Sequence, residues 1–166
     1  MNISNWPDMV RMTLPDWIFG QRLPVSVSYY TTQAGIVYAI SDQALPDKCV
    51  VWQISYLWGR VAGSLISISI KLGDHLPGAA AEYEAMQEVM EGIGHQGVGF
   101  KQTYFDYTTA QVKWDMKKLI YPQGNRLVMR VNFVATAVGL AKVVMIVSSL
   151  PTEIPEWYRS GQLPSR

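Results

Sequence analysis

In the stretch Leu127-Val128-Met129-Arg130-Val131-Asn132-Phe133 every odd position is large and apolar, and Arg130 and Asn132 stand between them. Residues 65–72 repeat this two-residue period, with Ile66, Ile68, Ile70 and Leu72 apolar and small or polar residues mostly between. Side chains on a strand point alternately to opposite faces, so each segment predicts a strand with one buried and one wetter face. The same reading predicts strands at 25–31 and 36–40, joined as a hairpin about Thr32-Gln33-Ala34-Gly35. At 49–57 it sets Val50, Trp52, Ile54 and Tyr56 on one face. Strands follow at 100–107, 111–116, 118–121, 126–134 and 140–149, with a tight turn at Tyr121-Pro122-Gln123-Gly124. Roughly eight to ten short strands with Pro and Gly between them predict an all-β fold, an antiparallel β-sandwich of jelly-roll-like type.

One segment breaks the pattern. Residues 79–91 hold good helix formers, with Tyr83, Met86, Val89 and Met90 at helical spacing and Gly92 as a stop, so a short helical insertion is expected there. The two ends have no sustained period. Residues 1–24 carry Pro7, Pro15 and Pro24 with Trp6, Trp17 and Phe19, and residues 151–166 carry Pro151, Pro155 and Pro164 with Trp157 and Tyr158. Aromatic residues on proline-stiffened chain are not the composition of a disordered tail. Two extended terminal arms, 1–24 and 151–166, are therefore expected to flank a β-sandwich domain at 25–150. They lie against a surface, their own domain's or, as the favoured alternative, a neighbour's.

Composition sharpens this. The chain is 49% hydrophobic and 16% charged, with six Trp and nine Tyr, against about 25% charged in an average domain. Apolar and aromatic surface is left over after a small core is filled, and such surface meets another chain or a ligand. A net charge of +1 gives no electrostatic footprint for nucleic acid. No uncharged apolar run is long enough for a membrane-spanning helix. The N-terminus, with Pro7 and Asp8, does not read as a signal peptide. The single cysteine, Cys49, falls in a strand pattern and is expected to be a buried, inert thiol.

Candidate chemistry is sparse. His75 and His95 flank the insertion without the close spacing of a metal pair. Gly92-Ile93-Gly94-His95-Gln96-Gly97 spells GxGxxG, but here a helix precedes it and a strand follows, the reverse of a dinucleotide site; a loop is expected instead. Asp106 and Asp115 have no sign of converging, and Ser148-Ser149 lacks a nucleophile-elbow context. No catalytic residue, metal site or cofactor is expected. Trp52 is assigned to the core, and Trp58 and Trp114 stay open as sugar-stacking candidates.

The segment from Trp114 through Ile120-Tyr121-Pro122-Gln123-Gly124-Asn125-Arg126-Leu127-Val128-Met129-Arg130-Val131 to Gly139 and Val143-Val144-Met145-Ile146-Val147 carries a family resemblance. So does the upstream Leu45-Pro46-Asp47-Lys48-Cys49-Val50-Val51-Trp52-Gln53-Ile54. Both resemble the small β-sandwich virion structural proteins of tailed bacteriophages, of the capsid decoration (cement), neck or fibre-attachment type. The insertion at 79–91 departs from that pattern. The resemblance implies a non-enzymatic, homo-oligomeric protein of the virion, assembled in the host cytoplasm. Its partners would be major capsid, portal or neck, or fibre proteins, with neither nucleic acid nor membrane. Interfaces are anchored by Trp, Tyr and Arg. The expected partner-binding residues are thus Trp6, Trp17, Phe19 and Arg22 on one arm and Trp157, Tyr158 and Arg159 on the other. The alternative is a carbohydrate-binding or receptor-binding module of a fibre, using Trp58 and the aromatics of 104–107.

Overall fold

A computed structural model of the chain describes residues 2–31, 35–61, 65–90, 95–99, 107–134 and 138–156. The described strands are β1 (Leu23–Thr31), β2 (Gly35–Ala44), β3 (Cys49–Val61), β4 (Leu65–Gly73), β5 (Gln87–Glu88), β6 (His95–Gly99), β7 (Tyr107–Ile120), β8 (Arg126–Val134) and β9 (Val138–Ser149). They form two antiparallel sheets. One has the order β1-β9-β3-β7; the other has β2-β8-β4-β5, with β6 also paired to β4. Successive strands from β1 to β4, and again from β7 to β9, change sheet at every connection. That is the two-sheet jelly-roll arrangement.

The inner faces of the two sheets make the main core. Val25, Val27, Ala141, Val143, Met145 and Val147 line one side; Ile68, Ile70, Leu72, Leu127, Met129 and Val131 line the other. Within the core Tyr56 meets Trp114 edge-on, ring centroids 5.7 Å apart. Among the described residues the buried Tyr56 hydroxyl has no hydrogen-bond partner, and burial pushes its pKa up. Cys49 is fully buried, as the sequence predicts, and burial raises its thiol to about 12.

Several expectations are corrected. Segments 25–31 and 36–40 are not a hairpin: β1 pairs with β9, and β2 pairs with β8 in the opposite sheet. Alternation declares a buried face but not which neighbour a strand pairs with. Segments 111–116 and 118–121 are one strand, β7, whose pairing steps from Lys118 to Asp115 while β3 steps from Val51 to Gln53. The gap expected between them is a bulge, where Met116 and Lys117 stand opposite Trp52 alone. Residues 95–99, expected as loop, form β6 on β4. The tight turn sits one residue later, closed by Asn125 N–H to Pro122 O at 3.1 Å, with Gln123 at φ 56° and Gly124 at φ 79°.

The insertion is helical only over α2 (Ala80–Glu84) and then turns into β5. The helix stops because Gln87 and Glu88 join Leu72 and Lys71 in the sheet, where Lys71 Nζ meets Glu88 Oε1 at 2.7 Å. Tyr83 is buried, with its hydroxyl 2.7 Å from Ser69 Oγ and the Arg130 guanidinium 4.6 Å from its ring centroid. Val89, beyond the helix, still reaches the main core.

Candidate functional site

β3 carries a bulge at Trp52. Against β9, Val51 pairs with Val147 and Gln53 with Ile146, so Trp52 is the extra residue. A bulge shifts the side-chain alternation by one position. Cys49 and Val51 face the core before it, and Ile54 and Tyr56 face it after, while Val50 and Trp52 belong to a second cluster. The single face expected for Val50, Trp52, Ile54 and Tyr56 is therefore split in two. Val50 and Trp52 stand on the outer side of the sheet, where a half-buried strand would carry polar residues, and something must cover them.

The N-terminal segment does so. Pro7 and Pro15 each precede a short helical piece, α1 (Asp8–Arg11) and a 3₁₀ turn (Asp16–Ile18). Proline suits such starts because its fixed φ is helical and the N–H it lacks has no partner there. These pieces set Leu14 and Phe19 down on the sheet, and with Ile3, Val50, Trp52, Leu150 and Ile154 they form the second buried cluster. Backbone bonds seam the segment to the end of β9 and the chain after it: Gly20 N–H to Ser149 O at 3.2 Å and Ile3 N–H to Thr152 O at 2.7 Å. Arg11, almost fully buried, donates to Ser4 O and Pro151 O at 3.3 Å each. Of the two surfaces open to this segment, it lies on its own domain.

Trp52 is the floor of the arrangement. Its indole N–H donates to Ser148 Oγ at 2.8 Å, and Phe19 meets it edge-on with centroids 5.5 Å apart. The Arg22 guanidinium lies 4.2 Å from the Trp52 ring centroid and 3.7 Å from Asp16. Lys117 pairs with Asp16 at 3.0 Å, donates to Leu14 O at 2.7 Å and stands 5.0 Å from the Phe19 ring centroid. Around this knot Asp16, Trp17, Phe19, Gly20, Gln21 and Arg22 line a hollow of about 530 Å³.

The structure thus brings Trp17, Phe19 and Arg22, three of the predicted partner-binding residues, to one concavity. They are not equally exposed. Phe19 is 6% exposed and committed to Trp52; Trp17 is half-buried, and the Arg22 side chain is 54% exposed. Trp6 packs on the same cluster. Trp157, Tyr158 and Arg159 lie outside the described residues, as do Trp58's side chain and residues 104–106. Asp16, Trp52 and Lys117 belong to the site and were not expected there. Lys117 offers no signal in sequence, since its reach to Asp16 depends on the β7 bulge.

Among the described residues no three His, Cys, Asp or Glu side chains gather as a metal site would require. His75 is exposed and bonded to Asp74 at 2.6 Å, which raises its pKa, and Asp115 accepts a hydrogen bond from Gln53. Asp8 accepts a hydrogen bond from the Tyr121 hydroxyl. That bond, with the Lys48 and Arg11 charges nearby, holds its carboxyl below the usual value despite some desolvation.

No family model matches this sequence, and no curated protein matches it. Among solved structures, one described as "Structure of infectious bursal disease virus Gt strain" is similar at a TM-score of 0.40 and 9% identity, over 81% of this chain and 33% of that one. A second, "Structure of infectious bursal disease virus Gx strain", reaches a TM-score of 0.23 and 12% identity, over 86% of this chain and 43% of that one. This chain spans a third of the length of the first, 33%, and less than half of the second. Likeness this slight says nothing about what the chain does.

Proposed function

We propose that this chain is a non-enzymatic structural protein of a virion, and that it holds neighbouring subunits through its aromatic, proline-stiffened ends. The observation that carries this reading is the strand order, β1-β9-β3-β7 against β2-β8-β4-β5. Capsid domains use this double-sheet arrangement. A fold hosts many functions, and the concavity at Trp17 and Arg22 gives this one its chemistry. An aromatic edge and a half-exposed guanidinium beside an apolar cluster are the ingredients of an interface anchor. They offer no nucleophile with a base beside it. A bacteriophage particle, with this chain as a decoration or neck component, is the specific form that the resemblance suggests. On this reading Trp17 and Arg22 contact the neighbour, and Phe19 stiffens the platform beneath them.

Particles purified from the producing cells, treated with nuclease and sedimented, test the reading. The chain is expected to co-sediment at a fixed number of copies per particle. The folded double variant Trp17→Ala/Arg22→Glu is expected to fall at least about tenfold in occupancy, as loss of an interface anchor should cause. A chain that stays in the supernatant while capsids sediment refutes it.

A further inference from the structure

The two ends of the β1-β9-β3-β7 sheet are unlike. β7, at one end, carries Lys113, Asp115, Lys117 and Lys118. β1, at the other, reads Leu23-Pro24-Val25-Ser26-Val27-Ser28-Tyr29-Tyr30-Thr31 and holds no charge. Among the described strands nothing pairs with its outer side. An open edge is a template for another strand, and soluble proteins blunt it with charge, proline or bulges. β7 is blunted by charge. β2, the edge strand of the facing sheet, has Asp42 and a register shift between Ile40 and Ala44. β1 runs in unbroken register with β9 from Leu23 to Thr31, and among the described residues Pro24, near its start, is the guard on it.

The surroundings of this edge are mixed: Asp42 and Gln43 of β2 lie beside Pro24 and Ser26, and large apolar side chains stand exposed near its ends. Leu23, Tyr30 and Ile36 are among the most exposed large hydrophobic residues described, at 52%, 60% and 56%. Beside β1 opens a cavity of about 620 Å³, lined by Leu23, Val25, Ala44, Pro46 and Val147 among others, with no charged residue in its lining.

We propose that β1 is an interface between two copies of this chain, each β1 pairing antiparallel with the other across a two-fold axis, so that the two four-stranded sheets run on as one. A second copy is the occupant because this edge complements itself. An isologous contact sets one patch against the same patch reversed. With the axis at Val27, Ser26 of one copy faces Ser28 of the other, and Pro24 faces Tyr30, so small meets small and a ring meets a ring. Pro24 has no N–H to give, which trims the ladder at its two ends and leaves its middle intact. The strand itself carries no charge, with Asp42 of β2 beside its Pro24 and Ser26, and a net charge of +1 sets up little repulsion between copies. The inference rests on the sheet edge alone and is independent of the virion reading.

The test is light scattering of the purified full chain over a concentration series, for the natural sequence, Ser28→Ala and Ser28→Lys. Ser28 is exposed, so both variants are expected to fold, which circular dichroism checks. The natural chain and Ser28→Ala are expected to form a discrete dimer. Ser28→Lys puts an ammonium beside the pairing line in each copy and is expected to raise the dissociation constant at least about tenfold. Register is checked by mixing Ser26→Cys chains with Ser28→Cys chains, since facing strand residues lie close enough for a disulfide and Cys49 is buried. The mixed disulfide should form faster than either symmetric one. A monomer throughout the series overturns the proposal, and so does a folded Ser28→Lys chain that dimerises as well as the natural one. Either result leaves the particle co-sedimentation experiment unaffected.

Discussion

Truncating Phe19 to alanine tests whether the N-terminal segment is part of the folded unit or an ornament on it. The ring is 6% exposed, so nearly the whole burial contribution of a phenylalanine is at stake, about 2 kcal/mol. The edge-to-face contact with Trp52, centroids 5.5 Å apart, contributes about 1 kcal/mol more. One wall of the resulting void is the rigid sheet at Val50 and Trp52; the other is the 3₁₀ turn of Asp16–Ile18, which can settle inward and keep the cavity penalty small. Together these give a loss of about 3 kcal/mol, roughly two decades in the folded-to-unfolded ratio. Urea unfolding followed by far-ultraviolet circular dichroism and by tryptophan emission measures it. The midpoint should fall with the slope unchanged and the two probes coincident, because the segment unfolds with the sandwich. A change below about 0.5 kcal/mol, the size of an ordinary surface substitution, would refute the reasoning. If it came with faster tryptic cleavage at Arg11 and Arg22, the segment would be shown to detach by itself from a sandwich that does not need it.

Two further outcomes follow from single residues. Asp8 has its folded pKa held below 3.8, so its stabilisation is present above the unfolded value and is lost as pH falls through the lowered folded value. Exchange protection of the Ile3 amide, which bonds to Thr152 O, should therefore decline in acid, and Asp8→Asn should lower it already at neutral pH and flatten the acid step. An unchanged acid step in Asp8→Asn would remove Asp8 from the account. Gln123 sits at φ 56° with no glycine's freedom to do so; Gln123→Gly should raise stability by about 1 kcal/mol in thermal or urea unfolding, and a loss of stability would show that its side chain matters more than its backbone.

The sandwich was legible because it rests on a period of two, and a period survives in the sequence wherever one face is buried. Leu127, Met129 and Val131 fall inward as their alternation says. Connectivity was not legible, since β1 and β2 look alike whether they pair with each other or face each other across the core. The candidate site was half legible for a related reason. Trp17, Phe19 and Arg22 declared themselves by residue type, on a segment whose prolines and aromatics ruled out a loose tail. Trp52 did not, because an alternating pattern continues through it unbroken from Val50 to Tyr56. The bulge that throws its indole outward leaves all of these residues apolar and so leaves no mark on hydropathy. Its cause is long-range: β3 is held by β9 on one side and by β7 on the other, and both pairings shift between Val51 and Gln53. A tryptophan turned out of the sheet is tolerable only under a cover, and the cover lies more than thirty positions away, at Phe19. The apolar outer residues of β3 and the prolines of the N-terminal segment are thus two halves of one device. Each reads in isolation as an anomaly, surplus apolar surface in the one and a stiff arm without a period in the other, and each accounts for the other once Phe19 is set on Trp52.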